Sequence, residues 1–178
     1  MQIESIQTKR LRGERVRQSL WQHWLTIGSN ERVMATMGGV WDDNKARRKM
    51  QQNCQQWKLY GHGQWLFFDR QTNEFVGRGG IRKVQVDNNN EVELGYALMP
   101  QFWGRGLAVE IGRKALSIAL NLFNYPSVVC YTLVNNQRSQ RVIEKLGFLF
   151  EREILLANRP HVFYRYLNPN RLTTLNAN

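Results

Sequence analysis

Residues Gln101–Ala108 read Gln-Phe-Trp-Gly-Arg-Gly-Leu-Ala, with two glycines two positions apart between a strand-like run and a helix-like run. Gly104 and Gly106 lack a Cβ, so the chain can take positive φ there and approach a ligand closely. The helix that follows begins with N–H groups that have no partner within it, and that end carries a partial positive charge. Such a turn is an anion site made of backbone, of a kind suited to a pyrophosphate. Arg105 adds a full charge beside it. Just upstream, Glu91–Met99 has strand character and ends at Pro100. Alternate residues of a strand point to opposite faces. That groups Glu93, Gly95, Ala97 and Met99 on one face and Val92, Leu94, Tyr96 and Leu98 on the other. A carboxylate followed on its own face by two small residues leaves room beside the strand.

The flanking segments must hold these groups. A first strand is expected over Thr8–Val16, made irregular by Gly13 and its arginines. Leu20, Trp21, Trp24 and Leu25 recur at helical spacing over Gln18–Ile27. Ser29-Asn30-Glu31 can cap a short second turn, which Gly38-Gly39 breaks. A second helix is expected over Asp42–Leu59, capped by Asp42 or Asp43. Strands follow at Gln64–Asp69 and Phe75–Val84, joined by a turn at Gln71–Glu74, and a further turn is expected at Asp87–Asn90. Leu107, Ile111, Ala115, Ile118 and Leu122 make one apolar stripe, which predicts a helix over Leu107–Phe123. A buried strand (Val128–Val134), a short helix (Ser139–Leu146) ended by Gly147, and a hairpin of Phe148–Ile154 with His161–Leu167 complete the order. The pattern β-α-α-β-β-β-α-β-α-β-β implies an α+β layer fold. Residues 1–168 are expected to form one domain, with 169–178 a polar, frayed tail.

Composition narrows the chemistry. A chain of 178 residues with 42% hydrophobic residues and six tryptophans can bury a real core. No apolar stretch approaches the roughly 18 residues of a membrane span, and the first residues lack a signal-peptide layout, so a cytoplasmic protein without membrane contact is expected. Cys54 and Cys130 are far apart and read as free thiols, Cys130 as a core residue rather than a nucleophile. His23, His62 and His161 have no spacing that suggests a metal site, and none is expected. The net charge of +11 suits an anionic ligand and raises nucleic acid as a partner. The basic residues are spread, however, and the densest group, Lys45–Lys49, reads as the solvated face of a helix. Nucleic acid is therefore not the expected partner.

Several segments, in order, resemble the GNAT superfamily of N-acetyltransferases, in its branch of ribosomal-protein serine and alanine acetyltransferases. They are Val33-Met34 to Gly38-Gly39-Val40, Gly61–Trp65, Val76–Ile81, Glu93–Leu98, Pro100 to Trp103–Ala108, and Asn136–Ser139 to Glu144–Phe148. Gln101, Gly104 and Gly106 meet the family's Arg/Gln-x-x-Gly-x-Gly/Ala signature. The resemblance covers roughly residues 8–167 and implies a central mixed, mostly antiparallel, splayed sheet flanked by helices. It names the anion as the pyrophosphate of acetyl-CoA, the co-substrate, held by Gln101, Trp103, Gly104, Arg105, Gly106, Leu107 and Ala108. By the same resemblance the pantetheine arm falls on Leu98 and Met99, and Asn136 and Ser139 touch CoA.

Amide formation needs a neutral amine. A lysine-type amine, with a pKa of about 10.4, is almost wholly protonated at neutral pH, and an α-amine, near 7.7–8.0, less so. A base must remove the proton. Position and family analogy give that role to Glu93, with Glu91 as the alternative; Glu93 also reads as a structural partner for Arg82. Family analogy makes Ser139 the proton donor to the leaving thiolate, with Tyr131 and Tyr164 behind it, although Ser139 also suits a helix N-cap. The acceptor, a primary amine, is expected at Met37, Gly38, Gly39 and Trp41, with Trp24 and His161 near. Net charge should disfavour polyamines and tolerate an acidic protein's N-terminus or a small neutral amine. Two other classes stay open at this point: a non-catalytic acyl-CoA-binding module and a basic nucleic-acid-associated or ribosome-associated protein. Monomer and homodimer are both compatible with the sequence.

Overall fold

The computed structural model describes residues 3–171. A short hairpin of β1 (Ser5–Gln7) and β2 (Leu11–Arg15) opens the chain where patterning expects one strand. Thr8 turns the chain between them, its hydroxyl oxygen accepting the Leu11 N–H. A 3-10 turn at Gln18–Leu20 leads into α1 (Trp21–Ser29). Asn30 accepts the Val33 N–H and starts the short α2 (Glu31–Met34). Asp42 accepts the Lys45 N–H and starts α3 (Asp43–Tyr60), which Gly61 ends in the left-handed region. Ala46, Met50, Asn53 and Trp57 are its buried face.

A meander follows: β3 (Gln64–Asp69), β4 (Phe75–Val86) and β5 (Asn89–Leu98). The expected four-residue turn between β4 and β5 tightens to Asp87 and Asn88, both at positive φ. That geometry matches the right-handed twist of paired strands, and both strands lengthen toward it. The long helix is also shorter than its stripe suggests. α4 (Leu107–Ser117) passes into a wider turn at Ile118–Leu122, where the Phe123 N–H donates to the Ile118 carbonyl five residues back. The wider turn rotates the stripe, so Ile118 stays buried while Leu122 is 45% exposed. β6 (Ser127–Leu133), α5 (Gln137–Lys145), β7 (Leu149–Leu156) and β8 (Arg159–Leu167) complete the order.

The strands form one sheet in the order β1-β2-β3-β4-β5-β6-β8-β7. Every neighbouring pair is antiparallel except β5 and β6, which run parallel and meet at one residue pair, Glu93 with Val129. Past that pair the ladder stops, and the sheet splits. α1 and α3 pack over the face that carries Gln64, Arg78 and Arg82, while α4 packs on β4 and β5 from the other side, Ile111 against Gly79. Trp57, Trp65 and Phe67 are fully buried between the layers. Asn168, the last residue of the expected domain, is buried, its side-chain amide donating to the Leu120 and Tyr125 carbonyls. The rest of the expected tail beyond residue 171 lies outside the described residues. No helix among them is long and apolar enough to cross a membrane.

The link from α3 to β3 buries His62 completely. Its Nδ1 lies 3.3 Å from the Ile81 carbonyl and its Nε2 lies 2.7 Å from the Tyr125 hydroxyl. The carbonyl can only accept, so Nδ1 carries the proton of the neutral ring and Nε2 accepts from Tyr125. Burial holds the imidazole down at about 4, from 6.5 when unperturbed. Between these values the unfolded chain binds a proton that the folded chain does not, so stability rises with pH across the window and falls on acidification. The thermal midpoint should therefore drop as pH goes from about 6.5 to about 4. His62→Phe should flatten that part of the profile, and an equally steep profile in the variant would remove His62 as the cause.

Candidate active site

At the end of β5, Pro100–Phe102 form a 3-10 turn, and Gly104 and Gly106 both stand at φ +75°. A Cβ at Gly104 would meet nothing within 4 Å, so its glycine answers to conformation and not to crowding. Gly106 is the residue before α4, and no side chain caps that helix start. The first N–H groups of α4 are thus open toward a ligand. Glu110, the acid of the first turn, does not compete for them. Its carboxylate accepts from the Thr8 hydroxyl at 2.6 Å and from the Arg10 N–H and Nε–H at 2.7 Å each. Arg10 also donates to the Arg105 carbonyl at 2.9 Å, which ties the turn to the start of β2. From the other side, the Trp103 indole N–H donates to the Leu98 carbonyl at 2.7 Å.

The loop therefore sits at the mouth of the split in the sheet. The Met99 N–H donates to the Val76 carbonyl across the β4 side. By strand alternation, the polar groups of Leu94, Tyr96 and Leu98 face the other way, toward β6. Past Glu93 and Val129 the ladder has ended, so the split is an edge of backbone donors and acceptors inside the molecule, the kind of edge that an extended polar ligand can pair with. One group on each face of β5 borders it. On one, Tyr96 points at α5, its hydroxyl 2.9 Å from the Ser139 Oγ. On the other, Glu93 is buried, and its Oε2 accepts from Arg82 Nε at 2.5 Å. Its other oxygen, Oε1, stands 3.7 Å from where a Cβ at Gly95 would be.

Ser139 is not the helix cap. Asn136 is, accepting the Ser139 N–H at 3.3 Å, while its own side-chain amide donates to Thr132 Oγ1 at 3.0 Å. Ser139 lies one turn in, with its hydroxyl committed to Tyr96, whose phenol burial pushes far up. Tyr131 lies on the opposite face, beside Glu93 and Arg82, with its phenol raised by burial and by the Glu93 charge. Tyr164 is a core residue. Cys54 and Cys130 are free thiols, and burial raises both, Cys130 strongly. Among the expected acceptor residues, Met37, Gly38 and Gly39 are exposed, the glycines at φ +84° and +81°. Trp41 turns inward instead, buried against Trp24 at 5.3 Å between ring centroids.

Between those indoles and the sheet lies Arg78, at 7% exposure. Its guanidinium carbon is 5.5 Å from the Trp24 ring and 5.3 Å from the Trp41 ring. Nη1 donates to Gln64 Oε1 at 2.6 Å, and the buried Nε has no partner. Desolvating a guanidinium costs several kcal/mol. A hydrogen bond to a charged group returns about 1.5–3 kcal/mol and a desolvated cation–π contact about 2. Burial and Arg82 lower its affinity for its proton, to about 10. Lys49, expected on a solvated face, leans toward the same region, and its ammonium is lowered by burial and then by Arg82 and Arg78. Arg48 is exposed, and Arg47, exposed as well, lies over the Trp21 ring, 4.9 Å to its centroid.

The sequence profile of the acetyltransferase (GNAT) domain matches residues 10–149. The chain belongs to the GNAT acetyltransferase family. The matched span of this GNAT chain runs from Arg10 through the anion loop and Glu93 to α5, and so holds the turn, the split and the groups on both faces of β5. Among curated relatives, an uncharacterised Bacillus subtilis protein, YkkB, is 31% identical over 132 residues, covering 74% of this chain and 77% of that protein. An acetyltransferase from Agrobacterium tumefaciens superposes with a TM-score of 0.81 at 23% identity, covering 93% of this chain and 95% of its own. RimL, a ribosomal L7/L12 α-N-protein acetyltransferase solved with coenzyme A, superposes at 0.76 and 18% identity, covering 92% and 98%. Both superpositions establish the GNAT fold.

Arg10, Arg78 and Lys49 do not stand out in the linear pattern. Arg10 lies in an irregular basic run, and Arg78 acquires its meaning only when Trp24 and Trp41 close over it. The Arg10–Glu110 pair is partly exposed, at 44% and 14%, so its worth is about 0.5–1 kcal/mol. Arg10→Ala should lower the thermal midpoint by about 2–4 °C, and the deficit should shrink in high salt. A midpoint insensitive to both changes would mean that the loop is held by other contacts.

Proposed function

We propose that this chain transfers the acetyl group of acetyl-CoA to a primary amine, on a protein N-terminus or a small molecule, by direct attack in a ternary complex. One observation carries the proposal: the split between β5 and β6 opens beside an uncapped helix start, with a carboxylate on one face and a hydroxyl pair on the other. The N–H groups at Leu107 and Ala108 and the charge of Arg105 suit the pyrophosphate, with Gln101, Gly104 and Gly106 shaping the turn and Trp103 closing it. The backbone of β5 from Tyr96 to Leu98 suits the pantetheine amides, and Asn136 borders the same groove. Coenzyme A in the RimL structure supports this assignment.

The chemistry follows from the two faces. Glu93 Oε1, the oxygen not engaged by Arg82, accepts the proton of the incoming ammonium directly or through water. The freed amine attacks the thioester carbonyl, the C–N bond forms and the C–S bond breaks. The thiolate takes a proton from Ser139, the attacking nitrogen loses its second proton through water to restore the Ser139 hydroxyl, and Glu93 releases the first to solvent. Two bound reactants held in line need no acyl-enzyme, which agrees with the buried, protonated state of Cys130.

Glu93→Gln should lower kcat by about 10²–10⁴-fold and make the remaining rate climb with pH toward the pKa of the acceptor amine. A pH profile identical to the wild type would sink the role of Glu93. Because the substitution also leaves Arg82 without its carboxylate, thermal unfolding should accompany it. Ser139→Ala should reduce kcat while leaving the affinity for acetyl-CoA, measured by calorimetry, nearly unchanged. An intact kcat would leave Ser139 as a packing partner of Tyr96 only.

A further inference from the structure

The face of the sheet that carries Glu93 also carries a buried charge with no carboxylate of its own. Arg78 donates once to Gln64, its Nε–H is unpartnered, and two indoles cover it. Glu93 is bound to Arg82 and reaches Arg78 only through its charge. The space between them is specific. Gln64, Gly80 and Gly95 lie side by side across β3, β4 and β5. A Cβ at Gly95 would stand 3.2 Å from the Gln64 amide nitrogen and 3.7 Å from Glu93 Oε1. The amide that holds Arg78 and the Oε1 of Glu93, a carboxylate that also reaches Tyr131, therefore border the same small floor, formed by two residues without side chains, Gly80 and Gly95. One end of that floor favours a positive group and the other a negative one. From these placements, and resting on the acetyl-transfer reading above, we infer that the acceptor is an amino-carboxylate: a small molecule whose amine lies at Glu93 and whose carboxylate, a few bonds away, lies at Arg78.

The charges discriminate among acceptors. Arg78, Arg82 and Lys49 face the region against the single carboxylate of Glu93. A polyamine would add positive charge to that surplus, whereas a zwitterion leaves it reduced at Arg78 and neutral at Glu93. Burial sets the size. Trp24 and Trp41 are 2% and 7% exposed, so a carboxylate that reaches Arg78 must pass beneath them, which suits a compact acceptor better than the first residues of a folded protein.

The test is a thiol-release assay with acetyl-CoA on matched acceptors: free amino acids, their carboxamides, the corresponding decarboxylated amines, and peptides with acidic N-termini. Free amino acids should exceed their carboxamides in kcat/KM by at least about tenfold. Arg78→Met should erase that preference, mainly through KM, and Arg78→Lys should restore part of it. Carboxamides or amines turned over as well as the acids by the wild-type protein would overturn the inference, as would faster turnover of the peptides, and neither result requires a variant to fold. Should no amine release thiol, the acetyl-transfer reading itself fails. Calorimetry then decides the anion site. Binding of amino acids to the wild-type protein saturated with CoA, lost in Arg78→Met, supports it, and absence of binding to the wild type overturns it.

Discussion

The whole site depends on a ladder that stops. β5 and β6 are parallel neighbours in the middle of an eight-stranded sheet, yet they meet only at Glu93 and Val129. Parallel strands buried in a sheet ordinarily keep their hydrogen bonds, because unpaired peptide groups away from water are costly. Here the chain leaves them unpaired along one stretch and fixes both ends of it. Trp103 holds the Leu98 carbonyl at the far end, and the Glu93–Arg82 pair sits at the vertex. The unpaired edge is a standing demand for an extended polar ligand. The anion loop is the natural continuation of that edge, since β5 runs into it through one 3-10 turn.

Because β5 lies at the vertex, its alternation sorts the polar side chains that flank the split. Odd positions bring Glu93, Gly95 and Ala97 under α1 and α3, and even positions bring Tyr96 over to α5. A ligand lying in the split therefore has a carboxylate above it and a hydroxyl pair below it, with no loop needed to deliver either. Placing such groups on strands holds them more firmly than loops would. Cys130, one residue past the bridge on β6, is buried in the packed layer, and burial raises its thiol strongly.

Much of this arrangement is legible in the residues. The glycine spacing of the loop, the alternation of β5 and the caps at Asp42 and Gly61 act through local chemistry, and the fold keeps them. What is missed comes from longer range. Patterning cannot tell that Leu122 leaves its stripe, because the wider turn at Ile118 depends on how the helix ends against the sheet. Ser139 reads as a cap until Asn136 is seen to reach the same N–H. Lys49 belongs by composition to a solvated run, yet the two arginines opposite it sit on another element. Arg78 is the clearest case, since its environment is made by Trp24, Trp41 and Gln64, contributed by three separate segments. Local rules describe what a residue can do, and only packing decides which of those options it is left with.

The two glycines of the floor are not equivalent. Gly80 stands at φ +150°, and a Cβ there would strike the Gly63 carbonyl at 2.3 Å, so that position is locked by backbone. Gly95 needs no such φ, and the nearest atoms to a Cβ there are the movable tips of Gln64 and Glu93. A single added methyl at residue 95 would thus press on the tips of Gln64 and Glu93 without disturbing the strand that carries it. The two positions therefore answer to different constraints: residue 80 to the backbone of the neighbouring strand, and residue 95 only to the side chains that lie over it.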